Sequence, residues 1–559
     1  MQIEWLGTSA ARRRYARELE WKRVTELAFS SQLSRRGFRY ETFASDVCYK
    51  IENRKYLSSA IPLIQTARDL ALTMPTTLLR NLLLSSGLIC LMFCLACGSD
   101  TNPFKQGGGN FSNASLKGQY VYQLTGVDTA ANFREAGVFT ADGNGNITGG
   151  RDDFAEGTTI TSGSSTGTYS ISSDGTGVFA ISISDGRVLQ LALTLVSSSK
   201  VYLMVTQTFD LANGAGIAEK QDPAAFAATP SGTFAFRMHT VSTAQGSSST
   251  AGVFTVSGGT VSGSEDLNRA GTLGAPTFTG SFNAPDTSGR GTVTFTDSAN
   301  VTSTFIYYVV DANNLRFFST SNGAPGLGRA ETQTGVPFVN TSLAGSYAFG
   351  SNGDTNVSVA GAKTVGRFTA GGDGTISAGA FDSVQDGTPL TNVSFNGTYT
   401  MASNGRATVT LNPPTGTIQQ IFWMVSPSRA FFLTNDPNKV EDGTVDLQQA
   451  ITFSNSTMNG QFAVLMDGFD PVNLVDRVGT LQWDGAGNLT LDEFINRSGT
   501  TQTPGFISGT YSVASNGRAT GSISGLSNNL VFYLISGSDA YMLQNDTGTE
   551  IDGVMSKQP

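Results

Sequence analysis

Acidic residues follow a glycine-rich hairpin pattern at four regularly spaced places in the chain. Carboxylates that recur at one topological position could bind a cation or a sugar, and a pair of them could serve glycosidase chemistry. They could equally be strand-end residues that keep sheet edges soluble, which is the simpler interpretation. The candidate ligand-binding residues are Asp152, Asp266, Asp382 and Asp492.

The first of these places also carries a calcium-like pattern. Oxygen-bearing side chains stand at offsets 1, 3, 5, 7 and 12, counting from Asp142, as they do in an EF-hand loop. Ile147 occupies the position where that loop requires glycine, and the other three places keep the turn but lose most of the oxygens. A Gly/Asn-rich hairpin explains all four places, so no metal is predicted. The calcium candidates are Asp142, Asn144, Asn146 and Asp153.

Histidine and cysteine chemistry is sparse. His239 is the one histidine, and Cys97 is the last of the four cysteines, so the long remainder of the chain has no thiol. These counts exclude a histidine metal cluster, and beyond Cys97 they also exclude Cys-ligated zinc and a cysteine nucleophile. A lone strand histidine is a poor basis for a Ser-His-Asp arrangement. We therefore predict no catalytic residue, no cofactor and no enzymatic activity.

The composition is typical of short strands joined by tight turns. Charged residues make up 14% of the 559 residues and glycine reaches 65, with Thr, Ser, Asn, Val and Phe abundant. Residues 1–73 hold 13 Lys/Arg against 8 Asp/Glu, whereas the whole chain carries a formal net charge of −9. The body after residue 73 is therefore acidic and would repel a polyanion, so nucleic acid is not a predicted partner.

A signal peptide is predicted over residues 74–96. Arg80 supplies the positive charge, and Leu82 to Ala96 form an apolar core of about 15 residues, shorter than the roughly 20 that a membrane-spanning helix needs. Residues 1–73 precede this segment and read as a mis-assigned N-terminal extension, with Met74 as the true start. A cytoplasmic pre-segment is the alternative.

The residues Leu95-Ala96-Cys97-Gly98 resemble the lipobox of bacterial lipoproteins. Cys94 stands where that family usually has leucine, which is a departure from its pattern. The resemblance implies cleavage before Cys97, lipidation of that cysteine, and attachment to the membrane through its acyl chains. Gly98 implies, by family analogy, the outer membrane or the cell surface. Residues 97–113 then read as the lipidated cysteine and a flexible tether.

Four copies of one unit fill the rest of the chain. Their opening glycines are about 114 residues apart, and each copy ends at a glutamine. The predicted repeats are 114–225, 226–339, 340–454 and 455–559. The opening glycines are Gly118, Gly232, Gly345 and Gly460, and the closing glutamines are Gln221, Gln333, Gln448 and Gln558.

The pattern within each repeat predicts an all-β fold. Apolar residues alternate with polar ones, and Asp-Gly or Asn-Gly pairs lie between the runs, as in antiparallel hairpins. About eight strands per repeat can close into a small barrel or pack as a two-sheet sandwich, and short connections favour the barrel. Each repeat is long enough to bury its own core, so we predict self-sufficient modules strung along the chain.

These observations favour a non-enzymatic, lipid-anchored envelope or surface protein with a structural or adhesive role. The chain resembles bacterial lipoproteins with Gly/Thr-rich β repeats, a resemblance that implies no activity. The alternative is a lipoprotein that binds glycans or small molecules in barrel interiors or at acidic rims, and a hydrolase ranks third. The expected partners are the membrane, through the lipid, and glycans or other envelope proteins.

Overall fold

The computed structural model describes residues 110–559 except 130, 207–211, 243–245, 321–322, 356–360 and 524–528. The predictions for residues 1–73, the signal peptide and Cys97 fall outside the described residues. The described part is built from antiparallel strands and contains no α-helix. None of its helices is long and apolar enough to cross a membrane. The four 3-10 helices are Asn113–Ser115, Pro223–Ala227, Asn340–Ser342 and Asn455–Thr457.

Barrels 1 and 3 each contain eight strands in up-and-down order, and the first strand pairs with the eighth to close the sheet. Barrel 1 consists of β1 (Lys117–Val127), β2 (Asn132–Asp142), β3 (Asn146–Glu156), β4 (Thr159–Ile171), β5 (Thr176–Ile183), β6 (Val188–Ser197), β7 (Lys200–Val205) and β8 (Asn213–Lys220). Barrel 3 consists of β18 (Ala344–Thr355), β19 (Gly361–Gly371), β20 (Thr375–Gln385), β21 (Thr388–Met401), β22 (Arg406–Asn412), β23 (Ile418–Ser426), β24 (Arg429–Thr434) and β25 (Lys439–Leu447).

Barrels 2 and 4 have the same order, but their fourth strand is split into two pieces. Barrel 2 consists of β9 (Gly232–Ser242), β10 (Gly246–Ser257), β11 (Thr260–Arg269), β12 (Thr272–Gly274), β13 (Thr277–Phe282), β14 (Arg290–Asp297), β15 (Thr302–Asp311), β16 (Asn314–Ser319) and β17 (Gly326–Thr332). Barrel 4 consists of β26 (Asn459–Phe469), β27 (Leu474–Asp484), β28 (Asn488–Arg497), β29 (Thr500–Gln502), β30 (Ile507–Val513), β31 (Arg518–Ile523), β32 (Asn529–Leu534), β33 (Asp539–Gln544) and β34 (Glu550–Lys557).

The predicted fold class is confirmed, and the barrel is the correct choice over the sandwich. Alternation along each strand sends one set of side chains into the barrel, where they form a separate core for each repeat. In barrel 4 the fully buried Trp483 packs edge-on against Tyr511 and Phe532, with ring centroids 4.3 and 5.0 Å apart. Closure of each sheet leaves no long edge strand exposed to other chains.

The barrels pack against one another in a closed cycle within one compact unit, Phe104–Pro559. The first and second strands of each barrel lie on the sixth to eighth strands of the next: β1 and β2 on β15–β17, β9 and β10 on β23–β25, β18 and β19 on β32–β34, and β26 and β27 on β6–β8. The prediction of modules strung along the chain is wrong, because apolar residues on the outer faces are buried between barrels. Head-to-tail contacts of this kind close when the rotation between neighbours brings the last unit back to the first.

The closing glutamine of each repeat carries the same inter-barrel contact. Each side-chain amide donates to a sixth-strand carbonyl of the following barrel, and the last one reaches back to barrel 1. Gln221 donates to Val309 O at 2.7 Å, Gln333 to Met424 O at 2.8 Å, Gln448 to Leu534 O at 2.7 Å and Gln558 to Leu195 O at 2.6 Å.

Glycine at the adjoining hairpin makes room for this contact. Gly405 has a φ of +91°, and a Cβ there would lie 2.8 Å from the Gln333 amide nitrogen and 3.0 Å from the ring of Phe338. The Asn-Gly pairs therefore serve both the turn and the packing of the preceding repeat.

Candidate ligand cavity in barrel 2

One interior position on the third strand distinguishes the four barrels. It lies opposite a second-strand glycine, and in barrels 1 to 3 a Cβ on that glycine would collide with a first-strand aromatic ring. The interior residues and their opposite glycines are Asp152 and Gly137, Glu265 and Gly252, Phe381 and Gly366, and Glu493 and Gly479.

In barrel 1 this position belongs to a filled polar cluster. Asp152 accepts a hydrogen bond from the Tyr122 hydroxyl at 2.5 Å and pairs with Arg187, whose Nη1 lies 2.7 Å from Glu135 Oε1. Burial, reinforced by the neighbouring Asp152 charge, raises the pKa of Glu135 well above its usual value. The guanidinium also stacks over Phe154 at 4.2 Å, so this end of barrel 1 is closed by paired charges and a ring.

Barrels 3 and 4 fill the same space differently. Phe381 occupies it in barrel 3 and packs on Phe395 with ring centroids 6.0 Å apart. In barrel 4, Glu493 Oε1 lies 3.7 Å from Arg477 Nη1, and each side chain is only 2% exposed. At this position both interiors are therefore occupied by the protein's own side chains, and the buried Glu493 lies beside a cation.

Barrel 2 leaves this space open. Glu265 makes no side-chain hydrogen bond or ion pair within the described part of the chain, and the neighbouring second-strand positions carry the small residues Ser248 and Thr250. At the register positions that these two occupy, barrel 1 has Phe133 and Glu135. The result is a cavity of about 280 Å³ at the end of the barrel.

The floor and walls of the cavity are aromatic, and its rim is polar. Phe254 lies at the centre of the aromatic set, with ring centroids 5.6 Å from Phe236, 5.9 Å from Phe295 and 6.2 Å from Phe317. Such an apolar pocket with a few convergent polar groups is the usual form of a small-molecule site. Its hydroxyl-bearing lining residues are Thr240, Ser242, Ser248, Thr250, Ser303 and Ser319.

Glu265 and Arg269 are the ionisable residues that line the cavity. Burial raises the pKa of Glu265 to about 7; the charge of Asp297 adds to this rise, and the charge of Arg269 opposes it. The carboxyl group therefore titrates near neutral pH, where a ligand charge could decide its protonation state.

The predicted acidic candidates do not converge on one ligand site. Asp152 faces the interior of barrel 1, whereas Asp266 and Asp382 lie between barrels. Arg406 Nη2 of barrel 3 lies 2.6 Å from Asp266 Oδ1, and the Trp423 indole donates to Asp266 Oδ2 at 3.0 Å.

Asp382 makes the same contact one barrel later. Its carboxylate accepts hydrogen bonds from Arg518 at 2.7 and 2.8 Å and from Tyr533 at 2.8 Å. Asp492 is offset in register, so Phe494 takes the corresponding place in barrel 4. Burial and the charge of Asp174 raise the pKa of Asp492 to about 6.

The calcium candidates are separated by the fold. Asp142 Oδ1 accepts backbone hydrogen bonds from Asn144 at 2.7 Å and Asn146 at 3.0 Å within the hairpin, while Asp153 pairs with Arg290 of barrel 2. The hydrogen bonds from Asn146 and Asn144 lower the pKa of Asp142 to about 2. Among the described residues, no group of three or more His, Cys, Asp or Glu side chains is placed to hold a metal.

His239 lies between barrels 2 and 3. Its Nδ1 is 2.8 Å from Asp442 Oδ2 and 3.2 Å from Ser249 Oγ, and the serine also donates to the aspartate at 2.9 Å. A catalytic triad needs the serine and the aspartate on opposite nitrogens of the ring. Since both partners here approach Nδ1, the arrangement is that of an inter-barrel contact.

No protein-family model matches the chain, and no curated protein matches it. Among solved structures, a transferrin binding protein B mutant from Haemophilus parasuis Hp5 is 10% identical, with a TM-score of 0.17 over 64% of this chain and 83% of that chain. Intact Ap-TbpB is 9% identical, with a TM-score of 0.18 over 82% and 98%. Transferrin binding protein B from serogroup B Neisseria meningitidis is 9% identical, with a TM-score of 0.16 over 65% and 84%.

The predicted candidate in barrel 2 is Asp266, whereas the residue that lines the cavity is Glu265, beside it. The available signal was the pair of small residues, Ser248 and Thr250, in a strand whose barrel 1 counterpart carries Phe133 and Glu135. Barrel 3 has the small residues Ala362 and Thr364 at the same positions, but Phe381 fills its interior, so the small pair indicates an open interior only together with Glu265 on the third strand.

Proposed function

We propose that this chain is an exported, lipid-anchored, non-enzymatic binding protein of the cell envelope or surface, and that barrel 2 holds a small ligand. One observation carries the proposal: four copies of one barrel share a frame, and the position that is filled or paired in barrels 1, 3 and 4 borders a cavity in barrel 2. The other three barrels then act as a scaffold that fixes the open one.

The closed cycle of barrels favours ligand binding over an adhesive role that depends on repeats extended away from the membrane. Each barrel uses its first two strands and its last three in contacts with its neighbours, so the repeats are stacked instead of extended. Multivalent adhesion needs equivalent binding surfaces that remain free to engage a partner. A scaffold with one specialised barrel instead accounts for both the shared frame and the cavity in barrel 2.

The binding function is tested by filling the cavity with the barrel 1 residues. In barrel 1, a Cβ on Gly126 would meet the Phe133 ring at 2.2 Å, so the phenylalanine needs a glycine opposite it. The matching change in barrel 2 is Thr240→Gly combined with Ser248→Phe. We expect the native chain to bind members of a fragment library in ligand-observed NMR and the double variant to lose those signals.

The double variant should also be at least as stable as the native chain to thermal unfolding, because it buries an apolar ring in empty space. Thr240→Gly alone, which enlarges the cavity, is the control and should retain binding. Equal fragment binding by the native chain and the double variant would contradict the proposed site.

The anchoring part of the proposal is supported by the lipobox-like residues and by the tether length before β1. Expressed from Met74 in a diderm bacterium, the native chain should fractionate with membranes, and its mature N-terminal peptide should carry an acylated Cys97. Cys97→Ser should remove both the cleavage and the acyl mass, while Cys94→Ser should leave them intact. An unmodified native N-terminus in mass spectrometry would refute the anchor.

A further inference from the structure

We propose that the barrel 2 cavity binds a small organic ammonium ion, with its cationic head between the Glu265 carboxylate and the surrounding phenylalanine rings. The inference rests on the proposed binding function and names its ligand class. It combines two features of the cavity: a carboxylate that makes no side-chain hydrogen bond or ion pair with the described residues, and a lining rich in aromatic rings.

The acidic neighbours of Glu265, which are Asp266 and Asp297, already accept hydrogen bonds from protein groups. Glu265 is therefore the carboxylate that a ligand cation would meet. Asp266 faces outward and is bonded to Arg406 and Trp423 of barrel 3. Asp297 Oδ1 accepts turn amides of residues 299 and 301 at 2.8 and 2.9 Å. A half-buried carboxylate is costly to ionise without a partner, so a ligand cation would recover that free energy.

The phenylalanine rings that line the cavity would also attract a positively charged ligand. Five phenylalanines line the cavity, and aromatic faces attract cations within about 6 Å of the ring centroid. Their spacing is that of a packed cluster, with Phe295 and Phe305 centroids 5.5 Å apart. The lining phenylalanines are Phe236, Phe254, Phe295, Phe305 and Phe317.

The hydroxyl groups of the rim and Arg269 fit the other end of such a ligand. Ser248 and Ser303 can bond a hydroxyl, and the exposed Arg269 can pair with a carboxylate, if the ligand carries one. A neutral sugar would use these hydroxyls but would leave Glu265 without a cation. Choline, with a quaternary head and one hydroxyl, is therefore the first probe.

Calorimetric titration of the native chain should show choline and tetramethylammonium binding at least about tenfold more tightly than 3,3-dimethylbutan-1-ol, the uncharged analogue of choline. Glu265→Gln should remove that preference, because it keeps the shape and loses the charge. Choline affinity should increase as the pH rises through 7, where Glu265 ionises. Asp297→Asn should keep binding but shift this midpoint to lower pH, since it removes a charge that raises the Glu265 pKa.

The outcomes separate the two proposals. Equal binding of choline and its uncharged analogue, or unchanged choline binding by Glu265→Gln, would overturn the ammonium assignment. In another outcome, fragments or a monosaccharide bind the native chain but not the Thr240→Gly/Ser248→Phe variant, while choline binds neither. That result would support the binding function and contradict the ammonium ligand. If nothing distinguishes that variant from the native chain, the cavity itself is not a site.

Discussion

Replacing Arg518 with methionine is expected to lower the free energy of unfolding by about 3 to 5 kcal/mol, the usual cost of breaking a buried ion pair by removing one partner. The carboxylate of Asp382 is fully buried between barrels 3 and 4 and takes two hydrogen bonds from that guanidinium. Methionine fills a similar volume, so most of the loss comes from the unpaired charge of Asp382, which keeps hydrogen bonds only from the Tyr533 hydroxyl and the Asn392 backbone N–H. Urea denaturation at neutral pH measures the change.

The chain supplies its own control at the interface that closes the cycle. Between barrels 4 and 1, the place of the arginine is taken by Thr176 and that of the aspartate by Phe494, so both charged residues of the pair are replaced by uncharged ones. Thr176→Met should change stability by no more than about 1 kcal/mol, because it removes the hydrogen bond from Thr176 Oγ1 to Asp174 Oδ1 at 2.8 Å but breaks no ion pair. The double change Asp382→Phe with Arg518→Thr copies that interface and should recover most of the loss. A loss below about 1 kcal/mol for Arg518→Met would mean that the ion pair between Arg518 and Asp382 does not stabilise the fold.

The fold was predictable because it is encoded locally and four times over. Two-residue periodicity sets the strands, Asp-Gly and Asn-Gly pairs such as Asn404-Gly405 set the hairpins, and the shared spacing sets the number of barrels. The choice of barrel followed from short connections. None of these signals indicates what packs against the outer face of a closed barrel. The closed cycle of contacts between barrels was therefore not predicted.

A signal for the cycle is nevertheless present in the repeats. An arginine follows the Asn-Gly pair at Arg406 and Arg518, and an acid lies one repeat earlier at Asp266 and Asp382. Where a repeat has the arginine, the repeat before it has the acid. Where Thr176 takes the place of the arginine, Phe494 takes the place of the acid. Two residue types that covary between copies of one unit indicate contact between neighbouring copies, whereas the sequence analysis interpreted the acids as strand-end residues that keep sheet edges soluble, with ligand binding as the alternative.

The predicted candidate residue and the residue that lines the cavity differ by one position. Glu265 and Asp266 are adjacent, and neighbouring strand residues point to opposite faces, so a shift of one in register exchanges the interior for the interface. The register is fixed by Gly252 lying opposite Glu265, which sequence alone does not show. The difference in volume at Ser248 became informative only when the counterpart, Phe133, was seen to fill barrel 1.

The second large effect is expected at Asp476, which lies where barrels 4 and 1 meet. Its Oδ2 accepts a hydrogen bond from Asn213 Nδ2 of barrel 1 at 2.8 Å. Burial raises the pKa of this carboxyl group to about 8, and the adjacent charge of Asp467 adds to the rise. A folded-state pKa above that of the unfolded chain means that the folded protein holds a proton which the unfolded chain has already lost.

A rise in pH should therefore destabilise the folded protein through Asp476. Between about pH 4 and pH 8, Asp476 should reduce the free energy of unfolding by about 1.4 kcal/mol for each unit of rising pH, since one proton separates the two states. Asp476→Asn removes the titrating group but keeps an oxygen for Asn213. We therefore expect the variant to gain stability over the native chain with that slope, reaching a few kcal/mol near pH 8 by roughly the same linkage.

Differences between the variant and the native chain cancel the titration of groups that do not interact with Asp476, so urea denaturation at pH 5, 6.5 and 8 is sufficient. Asp467→Asn is the matched control, because it removes the second cause of the raised pKa and should narrow the pH window from its upper end. If Asp476→Asn differs from the native chain by the same amount at all three values, Asp476 is ionised in the folded state. The contact between barrels 4 and 1 would then hold a charge, and its stability would not depend on that proton.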